Sequence, residues 1–182
     1  MSDLIKQLLA PYEYFIDIES SGLGDGSYPI EVGVAMPDGN FEMLIQPVEK
    51  WTYWNSKSQK VHGISRNDLK KHGRPAAEVA AKMNELFKGK VLWCDSKFDV
   101  WWSTLLFDAT GIEQEFQVKR MDKSLPQELW ERLLVELPIG EQVKHRALED
   151  ALDLKECWEK AKKNILRDKY IIERVTQAVA TA

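Results

Sequence analysis

The sequence predicts an α/β fold. Its first part contains three segments in which aromatic and β-branched residues alternate with other residue types, as they do in strands. Two short apolar segments come later and alternate with stretches of helical periodicity. Three opening strands, followed by strands that alternate with helices, are typical of the α/β class.

The predicted elements end at residues that ordinarily terminate strands and helices. Pro11 ends a first helix, residues 37–40 (PDGN) form the turn of a hairpin, and Gly89 and Gly111 close two helices. The predicted strands are 12–18, 29–36, 41–46, 90–94 and 116–119. The predicted helices are 2–10, 74–88, 96–109, 126–137 and 145–163, with short helical pieces around 61–64 and a last helix after 163.

The composition is that of an ordinary globular domain. Of the 182 residues, 44% are hydrophobic and 30% are charged, and no run approaches the roughly 20 apolar residues that cross a bilayer. The first residues lack the plan of a signal peptide, so we expect a cytoplasmic protein without membrane contact. We expect one domain over 1–182, with its core at about 12–163 and a helical C-terminal extension at 164–182.

The net charge of −4 argues against a protein that binds duplex nucleic acid tightly and without sequence preference, because such a protein needs a broad basic surface. It is compatible with an enzyme that holds a few nucleotides at a strand end, where a metal ion supplies positive charge locally. Cys94 and Cys157 fit no zinc-binding spacing, and we expect both to be small buried residues.

Two carboxylates share one face at the end of the first strand. Because side chains alternate across a strand, Phe15, Asp17 and Glu19 lie on the same side. Like charges on one face repel, and burying them is costly unless something pairs with them. A strand end that emerges into water explains the pattern, and so does a metal site, since hard cations prefer oxygen ligands.

Two more acids interrupt apolar helical stripes. Asp150 shares a stripe with Ala151, Leu154 and Trp158, although an aspartate in a first turn also favours the helix dipole. Asp99 is the polar exception in a second stripe, which also contains Trp102, Leu105, Leu106 and Ala109. Three separate predicted elements thus each place a carboxylate on a face directed toward the core, which favours a shared site over three unrelated acids.

His145 precedes Asp150 by five residues, which is about 140° around a helix, so the two side chains do not share a face. At the N-terminal edge of its helix, His145 is free to reach a bound water. A lone histidine is more often an ordinary surface residue, and the spacing does not decide between these roles.

Five segments, in this order along the chain, resemble the motifs of the DnaQ-like (DEDDh) 3′→5′ exonucleases. The three exonuclease motifs and two further landmarks of that family are matched by Phe15–Leu23, Ile30–Gly33, Val61–Ile64, Asp95–Asp99 and His145–Ala151. The third motif is in its histidine form. One departure is Asp95, where the second motif usually carries asparagine.

The resemblance implies a ribonuclease H-like fold, with a mixed five-stranded sheet whose second strand is antiparallel, flanked by helices. It also implies two divalent metal ions, Mg²⁺ or Mn²⁺, held by Asp17, Glu19, Asp99 and Asp150, with His145 as general base. The substrate that it implies is the 3′ end of single-stranded DNA or RNA. The residues expected to contact substrate are Ser20, Ser21, Gly22, Leu23, His62 and Phe98.

Several alternatives stay open at the level of sequence. Phe98 is equally well explained as a core residue, and Trp51 and Trp54 are candidates for stacking on bases. The lysines and arginine at 57–71 either touch phosphates or form a solvated face. A non-catalytic nucleic-acid-binding module and another metal-dependent phosphohydrolase are the rival functions. The choice between DNA and RNA, and between monomer and homodimer, is not determined.

Overall fold

The computed structural model describes residue 10, residues 12–140 and residues 143–180. Its centre is a mixed sheet of six strands in the order β4-β3-β2-β1-β5-β6. The strands are β1 (Tyr14–Ser20), β2 (Pro29–Ala35), β3 (Asn40–Gln46), β4 (Arg74–Pro75), β5 (Val91–Cys94) and β6 (Gln117–Arg120). The predicted helix at 2–10 lies outside the described residues, except for residue 10.

The sheet combines an antiparallel hairpin unit with parallel strands. β2 pairs antiparallel with both β1 and β3, whereas β5 runs parallel to β1 and β6 runs parallel to β5. The predicted α/β class and the antiparallel second strand are therefore confirmed. The sheet has one strand more than the five predicted, because the two-residue β4 pairs with β3 just before a helix.

Seven helices flank the sheet in the described part of the chain. They are α1 (Ser56–His62), α2 (Arg66–His72), α3 (Ala76–Phe87), α4 (Lys97–Thr110), α5 (Met121–Ser124), α6 (Gln127–Glu136) and α7 (Ala147–Ala180). The two helices predicted from 145 onward are one continuous helix, α7. Within the described residues, no helix has the length and apolarity of a membrane span.

Alternation along β1 and β2 divides the buried residues into two clusters, one on each face of the sheet. Ile16 and Ile18 belong to the cluster that contains the buried residues of α3 and α4. Phe15 belongs to the cluster that contains Trp158 of α7 and the buried leucines of α6. Asp17 and Glu19 follow Phe15 at alternate positions, so they lie on the face that α7 covers.

The first turn of α7 lies directly on β2. A Cβ atom on Gly33 would overlap the backbone of Ala147 and Leu148, so only glycine permits this approach. Gly33 is the pairing partner of Asp17 across the β1–β2 ladder. The missing side chain at Gly33 therefore brings the N-terminal end of α7 next to the acidic end of β1.

Candidate active site

All five residues that the sequence proposed for catalysis line one cavity of about 290 Å³ at the carboxyl end of β1. They are Asp17, Glu19, Asp99, Asp150 and His145. β1, α4 and the start of α7 each contribute at least one of them. Three segments that are distant in the chain thus meet here, as ligand-binding residues often do at the carboxyl ends of sheet strands.

The two acids of β1 are held in place by the strand. Ile16 and Ile18 alternate with them and are buried at 1% and 3% exposure, so neither acid can turn away without disrupting the core. Burial, and then the nearby charges of Asp99 and Glu19, raise the pKa of Asp17 well above its ordinary value. Burial and the charge of Asp150 raise the pKa of Glu19 to about 7.

Asp99 is the most deeply buried acid of the site, with 1% of its surface exposed. Its Oδ1 accepts a hydrogen bond from the backbone N–H of Ile18 at 3.2 Å, which ties α4 to β1. Its Oδ2 is buried and has no hydrogen-bond partner among the described residues. Burial and the charge of Asp95 raise the pKa of Asp99 well above its ordinary value. A buried carboxylate oxygen without a partner fits a position that a cation completes.

Asp150 and His145 meet Glu19 across the cavity. One ligand atom of each of these three residues lies within 4.8 Å of the other two, a spacing that suits a shared cation. The backbone of His145 has φ 53°, in the left-handed region that non-glycine residues rarely adopt. This conformation keeps His145 outside the helix that begins at Ala147. Such strained positions are common at functional sites.

Glu31 fixes the start of α7, although the sequence assigned it no role beyond its strand. Its carboxylate is fully buried and accepts hydrogen bonds from Arg146 Nε at 3.1 Å and Arg146 Nη2 at 2.6 Å. It also accepts the backbone N–H of Ala147 at 3.0 Å, so it caps a helix end with a negative charge. The signal available in the sequence was a single acid inside the otherwise apolar segment 29–35, because a buried charge must be paired.

The residues predicted to contact substrate separate into three groups. Leu23 and Phe98 line the catalytic cavity, where Leu23 is 68% exposed and Phe98 stacks on Trp102 at 5.3 Å. Ser20 and His62 line a neighbouring cavity. Ser21 and Gly22 line neither one: the hydroxyl of Ser21 accepts from the backbone N–H of Tyr28 at 3.1 Å, inside the loop.

The two tryptophans proposed for base stacking have structural contacts. Trp51 is buried at 4% exposure and stacks on Tyr28 at 5.2 Å, so the structure contradicts the candidate role in base stacking. Trp54 is half-buried, and its Nε1 donates to Gln59 at 2.7 Å. Asp95, the departure from the second motif, lines the catalytic cavity as a further carboxylate beside Asp99.

Comparison with known proteins identifies related chains. The family model RNase_T, described as exonuclease, matches residues 14–156. No curated protein matches the sequence at a significant level.

Solved structures of exonuclease I resemble the fold. Escherichia coli exonuclease I in complex with a dT13 oligonucleotide has a TM-score of 0.62 at 12% identity, over 90% of this chain and 43% of that one. Exonuclease I from Methylocaldum szegediense has a TM-score of 0.60 at 14% identity, over 77% of this chain and 38% of that one. The chain thus spans less than half the length of these proteins, and the likeness concerns the fold.

The raised pKa values predict how the stability of the metal-free protein depends on pH. The pKa of Glu19 rises from 4.5 to about 7 on folding, so the folded state binds its proton more tightly than the unfolded state. The resulting stability is fully present below pH 4.5 and is lost as the pH rises through about 7. In EDTA, we therefore expect the free energy of unfolding to fall between these pH values, and Mn²⁺ to restore it.

Urea unfolding at several pH values measures this effect. The Glu19→Gln variant should lose less stability on the alkaline side than the wild type, because its neutral amide does not titrate. The Glu149→Gln variant changes a half-exposed acid of helix α7 and should follow the wild type. Equal pH dependence of the wild type and Glu19→Gln would contradict the electrostatic description of the site.

Proposed function

This chain belongs to the exonuclease family, and we propose that it removes nucleoside monophosphates from the 3′ end of single-stranded DNA or RNA with the help of two divalent metal ions. One observation carries the proposal: a buried carboxylate oxygen of Asp99, which has no partner among the described residues, belongs to the same cavity lining as Asp17, Glu19, Asp150 and His145. A solved complex of E. coli exonuclease I with single-stranded DNA supports a single-stranded substrate.

The donor set fits hard divalent cations. The four residues that we propose as ligands are all carboxylates, which suit Mg²⁺ or Mn²⁺ better than a soft metal. Asp17, Glu19, Asp99 and Asp150 would hold the ions, and their four negative charges would offset the two divalent charges. When bound, the ions would acidify the attacking water and stabilise the departing 3′ oxygen.

Side chains of the protein would carry out proton transfer and hold the terminal nucleotide. His145 would accept the proton of the attacking water, since an imidazole takes up protons near neutral pH. Its side chain is near Glu19 and Asp150, which is where that water would have to be. Leu23 and Phe98 would hold the terminal nucleotide, because both line the cavity and offer apolar surface to a base or sugar.

A single-stranded oligonucleotide labelled at its 5′ end tests the proposed function. With Mg²⁺ or Mn²⁺, we expect a ladder of products shortened from the 3′ end, together with nucleoside monophosphates, and matched DNA and RNA strands compare the two substrates. Asp17→Asn should abolish the ladder while keeping the fold, because it removes a repelled charge. Internal fragments would instead indicate an endonuclease, and equal shortening by Asp17→Asn would contradict the proposal.

Replacement of His145 separates proton transfer from metal binding. In His145→Gln, we expect kcat to fall by about 10²–10⁴-fold, the usual contribution of a general base. Mn²⁺ affinity, measured by calorimetry, should change little, because the four carboxylates remain. His72→Gln, at an exposed histidine that lines neither cavity of the site, is the matched control. A full loss of Mn²⁺ binding in His145→Gln would make His145 a ligand instead of a base.

A further inference from the structure

A basic surface lies beside the catalytic cavity in an otherwise acidic protein. Residues 56–74 contain six lysines and arginines and one aspartate, a formal charge of +5, whereas the whole chain carries −4. The basic residues are Lys57, Lys60, Arg66, Lys70, Lys71 and Arg74. Two of them already have partners, because Arg66 donates to the backbone of Thr52 and Arg74 pairs with Glu78. Lys57 and Lys60 of α1 are exposed and form no ion pair in the described part of the chain.

A second cavity joins this surface to the catalytic one. Its volume is about 380 Å³, and it shares Glu19, Leu23, Trp102 and His145 with the catalytic cavity. α1 forms its other wall with Lys57, Ser58, Val61 and His62. Because four residues line both cavities, the two cavities lie side by side.

His62 lines the second cavity and has a donor nitrogen with no partner among the described residues. It is only 5% exposed, and its Nδ1 accepts the backbone N–H of Ile64 at 3.1 Å. The neutral ring therefore carries its proton on Nε2. Nε2 is buried and has no hydrogen-bond partner among the described residues. A buried donor without a partner is costly, and an anionic acceptor would satisfy it.

The charges around the catalytic cavity indicate the path of the substrate strand. If the terminal nucleotide lies against Leu23 and Phe98, the rest of the strand has to leave the cavity. Asp95 lines another part of its wall and would repel phosphates, whereas Asp153 on that wall is already paired with Lys144 at 3.3 Å. The α1 wall instead offers an ammonium group, a hydroxyl and an imidazole N–H, all of which can donate to phosphate oxygens.

We propose that the second cavity binds a phosphate of the substrate strand on the 5′ side of the scissile bond, with Lys57, Ser58 and His62 as donors. Lys60, one turn from Lys57 on the same helix face, extends the contact toward the following phosphate. The inference rests on the proposed function and adds to it the path of the strand beyond the terminal nucleotide.

Neutral phosphates in the substrate test this path. A set of single-stranded oligonucleotides each carries one methylphosphonate, at a different position upstream of the terminal bond. For the wild type, one position should lower kcat/KM for the first cleavage by about tenfold, the effect of losing one charge-assisted hydrogen bond. In Lys57→Ala, the unmodified strand should already be cleaved that slowly, and the methylphosphonate at that position should have little further effect.

Salt dependence gives a second, independent readout. For Lys57→Ala, the slope of log kcat/KM against log salt concentration should be less steep by about 0.7, the value for one lost phosphate contact on a single strand. Lys163→Ala removes an exposed lysine of α7 that lines neither cavity and should leave the slope unchanged.

The outcomes distinguish this inference from the proposed function. A wild type that releases no mononucleotide contradicts the proposed function itself. A wild type that shortens the strand, while Lys57→Ala keeps the wild-type salt slope and the wild-type response to every methylphosphonate, contradicts only the phosphate site.

Discussion

The close contact between the start of α7 and strand β2 is the constraint on which the site depends. Gly33 leaves room for the helix backbone. Two positions away, on the same face of the strand, the buried carboxylate of Glu31 accepts hydrogen bonds from the guanidinium of Arg146 and from the backbone N–H of Ala147. Without this contact, Asp150 and His145 would have no fixed position relative to Glu19. A steric gap and a buried ion pair, neither of them catalytic, therefore decide whether three distant segments form one site.

The assembled site is electrostatically unfavourable without a cation. Burial and mutual repulsion raise the pKa values of Asp17, Glu19 and Asp99 together, so folding brings together charges that repel one another. The core tolerates this because Ile16 and Ile18 hold the strand from the opposite face. A protein gives up stability in this way where the same charges have a ligand to bind. The basic α1 wall complements this arrangement, with positive charge where phosphates would pass and negative charge where cations would bind.

The sequence predicted the fold class and the candidate acids because both follow local patterns. Alternation placed Asp17 and Glu19 on one face, and helical periodicity marked Asp99 and Asp150 as exceptions. These local patterns could not predict contacts between distant segments. The roles of Glu31 and Gly33 depend on a helix that starts more than 110 residues later. Trp51 looked available because its segment is irregular, yet it packs on Tyr28. The sequence also gave no sign of the left-handed backbone at His145.

The most direct test of this account is the turnover of Glu31→Gln at saturating metal concentration. The amide keeps the shape of the side chain but loses the charge that holds Arg146 and the first N–H of α7. We predict that kcat per folded molecule falls by about 10–100-fold, as for other groups that orient a catalytic residue, while KM stays close to that of the wild type. Glu42→Gln, at the exposed second acid 3.6 Å from Arg146, should behave like the wild type. Equal turnover of Glu31→Gln and Glu42→Gln would contradict the claim that this buried anchor assembles the site.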